Sequence, residues 1–153
     1  TSQPLVITGA PLWKADGLAE SIRRSPWSKD IMFTGFVPQA HLPSLYAGAG
    51  LFVFPSLYEG FGLPILEAMA CGVPVVAGNR TSLPEIAGDA ACLVNPDFPE
   101  EIASGISLVL GNDILAKTLR QKGPMQAAQF NWDRTARQTL EVYHRMIDGW
   151  GGN

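Results

Sequence analysis

Residues 51–72 read LFVFPSLYEGFGLPILEAMACG, and this order of residue types decides the fold. LFVF is an apolar run of core-strand length. A loop with two glycines, Gly60 and Gly62, comes next. Pro64 then fits the first position of a helix that Gly72 closes. The next apolar run, VPVVAG at 73–78, reads as another strand, followed by a connection containing TSLPEIAGD and a further strand, ACLVNP, at 91–96. Upstream, PLVITGA at 4–10 reads as a buried strand handing over to a loop at 10–16. A helix is expected over 18–24, a strand IMFTGFV at 31–37 and a helix over 39–48. Strands separated by helices cannot be hairpins. They imply right-handed crossovers and a mostly parallel sheet covered on both faces, the doubly wound α/β class with a Rossmann-like layout.

After Pro96 the pattern turns helical. Ile102, Ile106, Val109 and Leu110 fall on one stripe, and Ala136, Leu140, Tyr143 and Ile147 on another. Pro124 is expected to interrupt the helix between them. Asn131 reads as the N-cap of the last helix, with Asp133 in its first turn and the tail GWGGN ending it.

A chain of 153 residues with 46% hydrophobic and 16% charged residues fits one ordinary globular domain, large enough to bury roughly 70% of its unfolded surface. It holds no apolar run of about 20 residues, as a membrane-spanning helix needs. TSQPLVITGAP has no signal-peptide architecture, so a cytoplasmic location is expected. The net charge of −3 argues against a nucleic-acid-binding face. Cys71 and Cys92 form neither a metal cluster nor a disulfide framework, and each sits in an apolar stretch as a small core residue would.

In open parallel sheets ligands bind beyond the carboxyl ends of the strands, which directs attention to the loops after GFV, PSL and VAGN. The second of these carries chemistry. Where the helix starts, the backbone N–H groups of Phe61, Gly62 and Leu63 point outward with the positive end of the helix dipole and suit an anion. Glu59 and Glu67 bracket the segment, and Pro64 forbids one continuous helix through both, so they approach from different elements. Carboxylates are poor partners for phosphate and good acceptors for hydroxyls. A ligand with hydroxyls on both sides of a phosphate, such as a nucleotide-sugar, fits this set. Turn chemistry alone accounts for single glycines, and dipole compensation for a single Glu; the combination carries the reading.

GFGLPI begins like a dinucleotide fingerprint, but Ile65 stands at the third glycine position. The following strand ends in Gly78 and Asn79, with no acidic residue for a ribose. No G-K-S or G-K-T triplet exists for a P-loop.

The stretch FPSLYEGFGLPILEAMACGVPVVAGNRTSLPEIAGDAACLVNP resembles the signature region of the retaining GT-B-fold glycosyltransferases, the "glycosyl transferases group 1" family that includes glycogen and sucrose synthases. Weaker likeness runs from PLVITGA to FNWDRTARQTLEVY. The resemblance implies the carboxy-terminal, donor-binding half of such an enzyme. It further implies transfer of a sugar from a UDP- or GDP-sugar to an acceptor hydroxyl with retained configuration, an acceptor that is a glycan or lipid-linked sugar, and a faint lean toward mannose. By the same resemblance Glu59 lies by the donor sugar as the catalytic candidate, orienting it and stabilising its positive charge. Glu67 accepts from the ribose, Gly60, Phe61, Gly62 and Leu63 hold sugar and diphosphate, and Phe36 and Val37 form the base-contacting turn.

No D-x-D arrangement is present, so no metal or other cofactor is expected. The Arg and Lys with which relatives neutralise the diphosphate have no match here, and an amino-terminal domain for the acceptor is expected to be missing. The full-length protein could be peripheral to a membrane, while the isolated chain is expected to be inactive. Lys14, Arg23 and Arg24 read as solvated charges. His41 and His144 lack partners at ligand spacing, and Trp13, Trp27, Trp132 and Trp150 are scattered. Leu83, Pro84 and Glu85 shape the loop after VPVVAGN, where Arg80 is the basic residue to test. The alternative reading is a non-catalytic nucleotide-sugar-binding or scaffold module of the same fold.

Overall fold

Five short strands, every pair of them parallel, carry the fold in the computed structural model, which describes residues 3–9 and 16–150. The chain divides into two compact units, one ending at Leu42 and the other beginning at Pro43. In the first, β1 (Leu5–Thr8) pairs with β2 (Ile31–Gly35), and α1 (Asp16–Arg24) lies between them in sequence. The expected buried strand is here an open one: Leu5 is 51% and Phe33 46% exposed. Two strands and one helix cannot cover both faces of even a small sheet.

The second unit contains α2 (Leu42–Gly48) from Pro43 onward, β3 (Phe52–Phe54), α3 (Leu63–Ala70), β4 (Val75–Gly78), α4 (Leu83–Ala87), β5 (Cys92–Val94), α5 (Pro99–Gly111), α6 (Asp113–Ala127) and α7 (Trp132–Trp150). The expected helix over 39–48 is split into a turn of 3-10 helix, Gln39–His41, and α2. Pro43 has no N–H to give the Gln39 carbonyl, so an α-helix cannot run through the junction; the Leu42 N–H closes on Gln39 instead.

Strand β4 is the middle of the β3-β4-β5 sheet and is buried along its whole length. Side chains alternate across a strand, and here the alternation divides the core. Val75 and Ala77 pack with Ile65, Met69, Leu83 and Ile86 of α3 and α4. Val76 joins Val94, Val109 and Leu119, with Ile102 of α5 and Leu115 of α6 at its margin. Helices therefore cover both faces, as a doubly wound α/β sheet requires.

Three expectations need correction. The connection TSLPEIAGD contains a helix, α4, because Pro84 falls within its first two positions, where a missing N–H costs nothing. Pro124 lies inside α6 rather than breaking it. It stands in the last turn, Ala128 N still donates to its carbonyl at 3.0 Å, and α6 is held by close packing: a Cβ on Gly123 would lie 3.2 Å from the Met69 carbonyl oxygen. Leu110 leaves the buried stripe of α5 and is exposed, whereas Val109 is buried. The stripe on α7 exists, but Leu140, Tyr143 and Ile147 all face outward in this chain. Asn131 caps α7 as expected, its side chain accepting from Arg134 N at 2.8 Å. Among the described residues no single helix is long and apolar enough to cross a membrane.

Candidate functional site

The loop between β3 and α3 is built by close approach to the turn between β4 and α4. Gly78, the last residue of β4, has no room for a side chain: a Cβ would stand 2.6 Å from the Ser56 carbonyl oxygen. Further along, Glu59 N donates to Thr81 Oγ1 at 3.0 Å. The Ser82 hydroxyl lies 3.0 Å from the Glu59 carbonyl and 2.7 Å from that of Phe61. Gly62 has φ +116°, in the left-handed region, and a Cβ there would be 2.8 Å from Leu83 Cδ2. Only glycine satisfies both conditions at once.

Gly62 is also the N-cap of α3 and supplies no side-chain cap. Pro64 takes the second helical position, after Leu63, rather than the expected first; the missing N–H is still one of those a helix start leaves without an intrahelical partner. Ile65 N closes on the Gly62 carbonyl at 3.1 Å. Among the described residues no acceptor meets the N–H groups of Phe61, Gly62 or Leu63. Three consecutive donors with the helix dipole behind them form a cradle for an anion.

Two carboxylates flank this cradle in the chain. Glu59 is half-buried, and its backbone is fixed at both ends by Thr81 and Ser82. Glu67 is exposed on α3 and accepts a hydrogen bond from the Tyr46 hydroxyl at 3.1 Å. Tyr46 packs edge-on against Phe52, with ring centroids 5.2 Å apart. Burial first, then the hydrogen bond and negative charge of Glu67, push the Tyr46 hydroxyl well above its ordinary value. The Phe61 ring meets Phe130 edge-on, with ring centroids 5.9 Å apart.

The structure thus gathers Glu59, Gly60, Phe61, Gly62, Leu63 and Glu67 in one unit. Phe36 and Val37 follow β2 in the other, Phe36 80% exposed and Val37 half-buried, next to Gly35 at φ +65°. Arg23 and Arg24 pair with Glu20 on the surface of α1. Arg80 is tied to Asp97 and, at 3.3 Å, to Asn95, so its charge is already compensated. His41 and His144 are exposed, Trp27 and Trp132 too. Lys14 and Trp13 lie outside the described residues, as does the Trp150 side chain. Among the described residues no three His, Cys, Asp or Glu side chains gather as a metal site would need.

Sequence reasoning missed Tyr46, Thr81 and Ser82. A Tyr one strand before the motif and a Thr-Ser pair in a turn have no local signature; only the fold brings them to Glu67 and Glu59.

Residues 2–112 match the family described as Glycosyl transferases group 1. The chain is 44% identical, over 140 residues, to the O-antigen chain mannosyltransferase B of Escherichia coli, covering 92% of this chain and 37% of that protein. It is 39% identical over 130 residues to the serotype-specific mannosyltransferase WbdA of Escherichia coli, covering 85% of this chain and 16% of the relative. Among solved structures it superposes on HepE of Anabaena, crystallised in complex with UDP. The TM-score is 0.83 at 26% identity, over 94% of this chain and 41% of that one. The chain therefore spans well under half the length of each of these proteins.

Proposed function

The chain belongs to the glycosyl transferases group 1 family, and from that premise we propose that it is the part of a retaining glycosyltransferase that holds the nucleoside diphosphate sugar. The observation that carries the reading is the row of unpartnered N–H groups at Phe61, Gly62 and Leu63, with Glu59 and Glu67 on either side. The diphosphate sits against these donors, where charge developing on it as the leaving group is stabilised by fixed dipoles. Glu67, oriented by Tyr46, accepts hydroxyls of the ribose, and Glu59 orients the sugar and offsets its positive charge. With retention by front-face attack no protein nucleophile is needed, and the acceptor's proton leaves with the diphosphate oxygen.

The sugar is mannose on this reading, supported by the names of the two Escherichia coli relatives. UDP in the HepE crystal supports a nucleoside diphosphate as the ligand class. The test is a calorimetric titration of the full protein with UDP, GDP and their glucose and mannose sugars, beside Glu67→Ala. One of these ligands is expected to bind, and Glu67→Ala to weaken it roughly tenfold or more, the worth of a charge-assisted hydrogen bond. Absence of binding by every ligand overturns the assignment.

A further inference from the structure

Thr81 is the residue among those described that takes a positive φ without being glycine, at +51°. For a β-branched side chain this is a costly conformation, held only where surroundings over-determine it. Its hydroxyl accepts from Glu59 N. The next residue, Ser82, stands at the N-cap of α4 and makes no capping hydrogen bond; its hydroxyl is turned instead to the Glu59 and Phe61 carbonyls. Two local preferences are thus overridden side by side, and both hydroxyls go to the same neighbouring loop. Arg80, paired with Asp97, anchors the turn from its other end.

The consequence follows from peptide geometry. A trans peptide points its C=O and N–H in opposite directions, and no cis peptide is present among the described residues. With the Glu59 carbonyl turned onto Ser82, the Gly60 N–H faces away from it; with the Phe61 carbonyl turned there, so does the Gly62 N–H. A serine hydroxyl has one proton, so it serves the nearer Phe61 carbonyl or is shared between the two.

We propose that Thr81 and Ser82 are positioning residues that aim the backbone donors of the Glu59–Gly62 loop at the distal phosphate and sugar of the bound nucleotide. This rests on the reading in the preceding subsection. The two hydroxyls touch no ligand themselves; they act through the loop backbone. Their removal therefore weakens a nucleoside diphosphate more than the monophosphate, which lacks the distal phosphate that those donors are aimed at.

Calorimetric titration of the full protein with the nucleoside diphosphate that binds best, and with the matching monophosphate, tests this on the wild type, Ser82→Ala, Ser82→Thr and Thr81→Gly. Ser82→Ala is expected to weaken the diphosphate roughly three- to tenfold, the worth of one net hydrogen bond, and to leave the monophosphate within about twofold. Ser82→Thr, which keeps the hydroxyl, is expected to restore the diphosphate. Thr81→Gly relieves the backbone conformation while deleting the hydroxyl, and the same selective loss is expected of it; should Ser82→Ala fail to fold, this variant decides by the same criterion. Equal loss of both nucleotides, or an unchanged diphosphate affinity in a folded variant, overturns the positioning role alone. A wild type that binds neither nucleotide overturns the donor-binding reading and the positioning role with it.

Discussion

Strands β1 and β4 have similar composition, LVIT and VVAG, and opposite environments. Each residue of β4 is buried, while three of the four in β1 are exposed. Apolar side chains make a strand possible, but burial depends on what covers it. β4 has a strand on each side and helices on both faces, whereas β1 pairs with β2 alone in its unit. The loops beyond the strands repeat the contrast. The turn after β2 leaves Phe36 open to solvent, and the loop after β3 is pinned by Thr81, Ser82 and the close packing of Gly62 and Gly78. Rigidity of a binding loop is inherited from the packing beneath it.

The sharpest way to break this comparison is to truncate one side chain in each unit. Ile65, fully buried against β4, is expected to cost about 2–5 kcal/mol on change to alanine, whereas Leu5→Ala in β1 costs under about 1 kcal/mol. Urea unfolding monitored by circular dichroism reads both; equal costs would mean that β1 is as well covered as β4. A smaller effect, roughly 1–3 kcal/mol, is expected of Gly78→Ala, because its Cβ must displace a backbone oxygen rather than a flexible side chain. Gly9→Ala, where a Cβ meets nothing within 4 Å, isolates the cost of the positive φ alone. A small effect is also expected at Tyr46→Phe, which keeps the ring on Phe52 and loses the bond to Glu67, at about 1 kcal/mol near neutral pH.

That last variant also carries a pH signature. The Tyr46 hydroxyl is pushed up from its ordinary value of 10.0, chiefly by burial and then by Glu67. The folded state thus holds this proton more tightly than the unfolded one. Its contribution is complete below pH 10.0 and is lost as the pH rises from there toward the raised value. Wild-type stability is expected to fall more steeply above that pH than the stability of Tyr46→Phe, measured as urea midpoints across the alkaline range.

The alternation of strands and helices was legible in the residue pattern because each apolar run is bounded by glycine, proline or a cap. The cradle at Phe61–Leu63 was legible too, since a strand, a glycine loop and a proline-marked helix start lie consecutively in the chain. What the pattern hid is non-local. The openness of β1 depends on which elements neighbour it in space. The continuation of α6 through Pro124 depends on packing against Met69. The Thr81, Ser82 and Tyr46 contacts join residues that are distant in sequence. The N-cap at Asn131, which needs only its own helix, was correctly read.

The pairing of Arg80 with Asp97 has a consequence for how ionic strength acts on this protein. A phosphate held by lysine and arginine side chains loses affinity as salt screens their charge. At the start of α3 the donors are backbone amides with fixed partial charges at contact distance, and the arginine of the β4–α4 turn is already neutralised by its own partner. On the proposed reading, the share of nucleotide affinity that this loop supplies is accordingly less salt-dependent than a share supplied by lysine and arginine side chains, and a steep salt dependence in the full protein would trace to cations elsewhere.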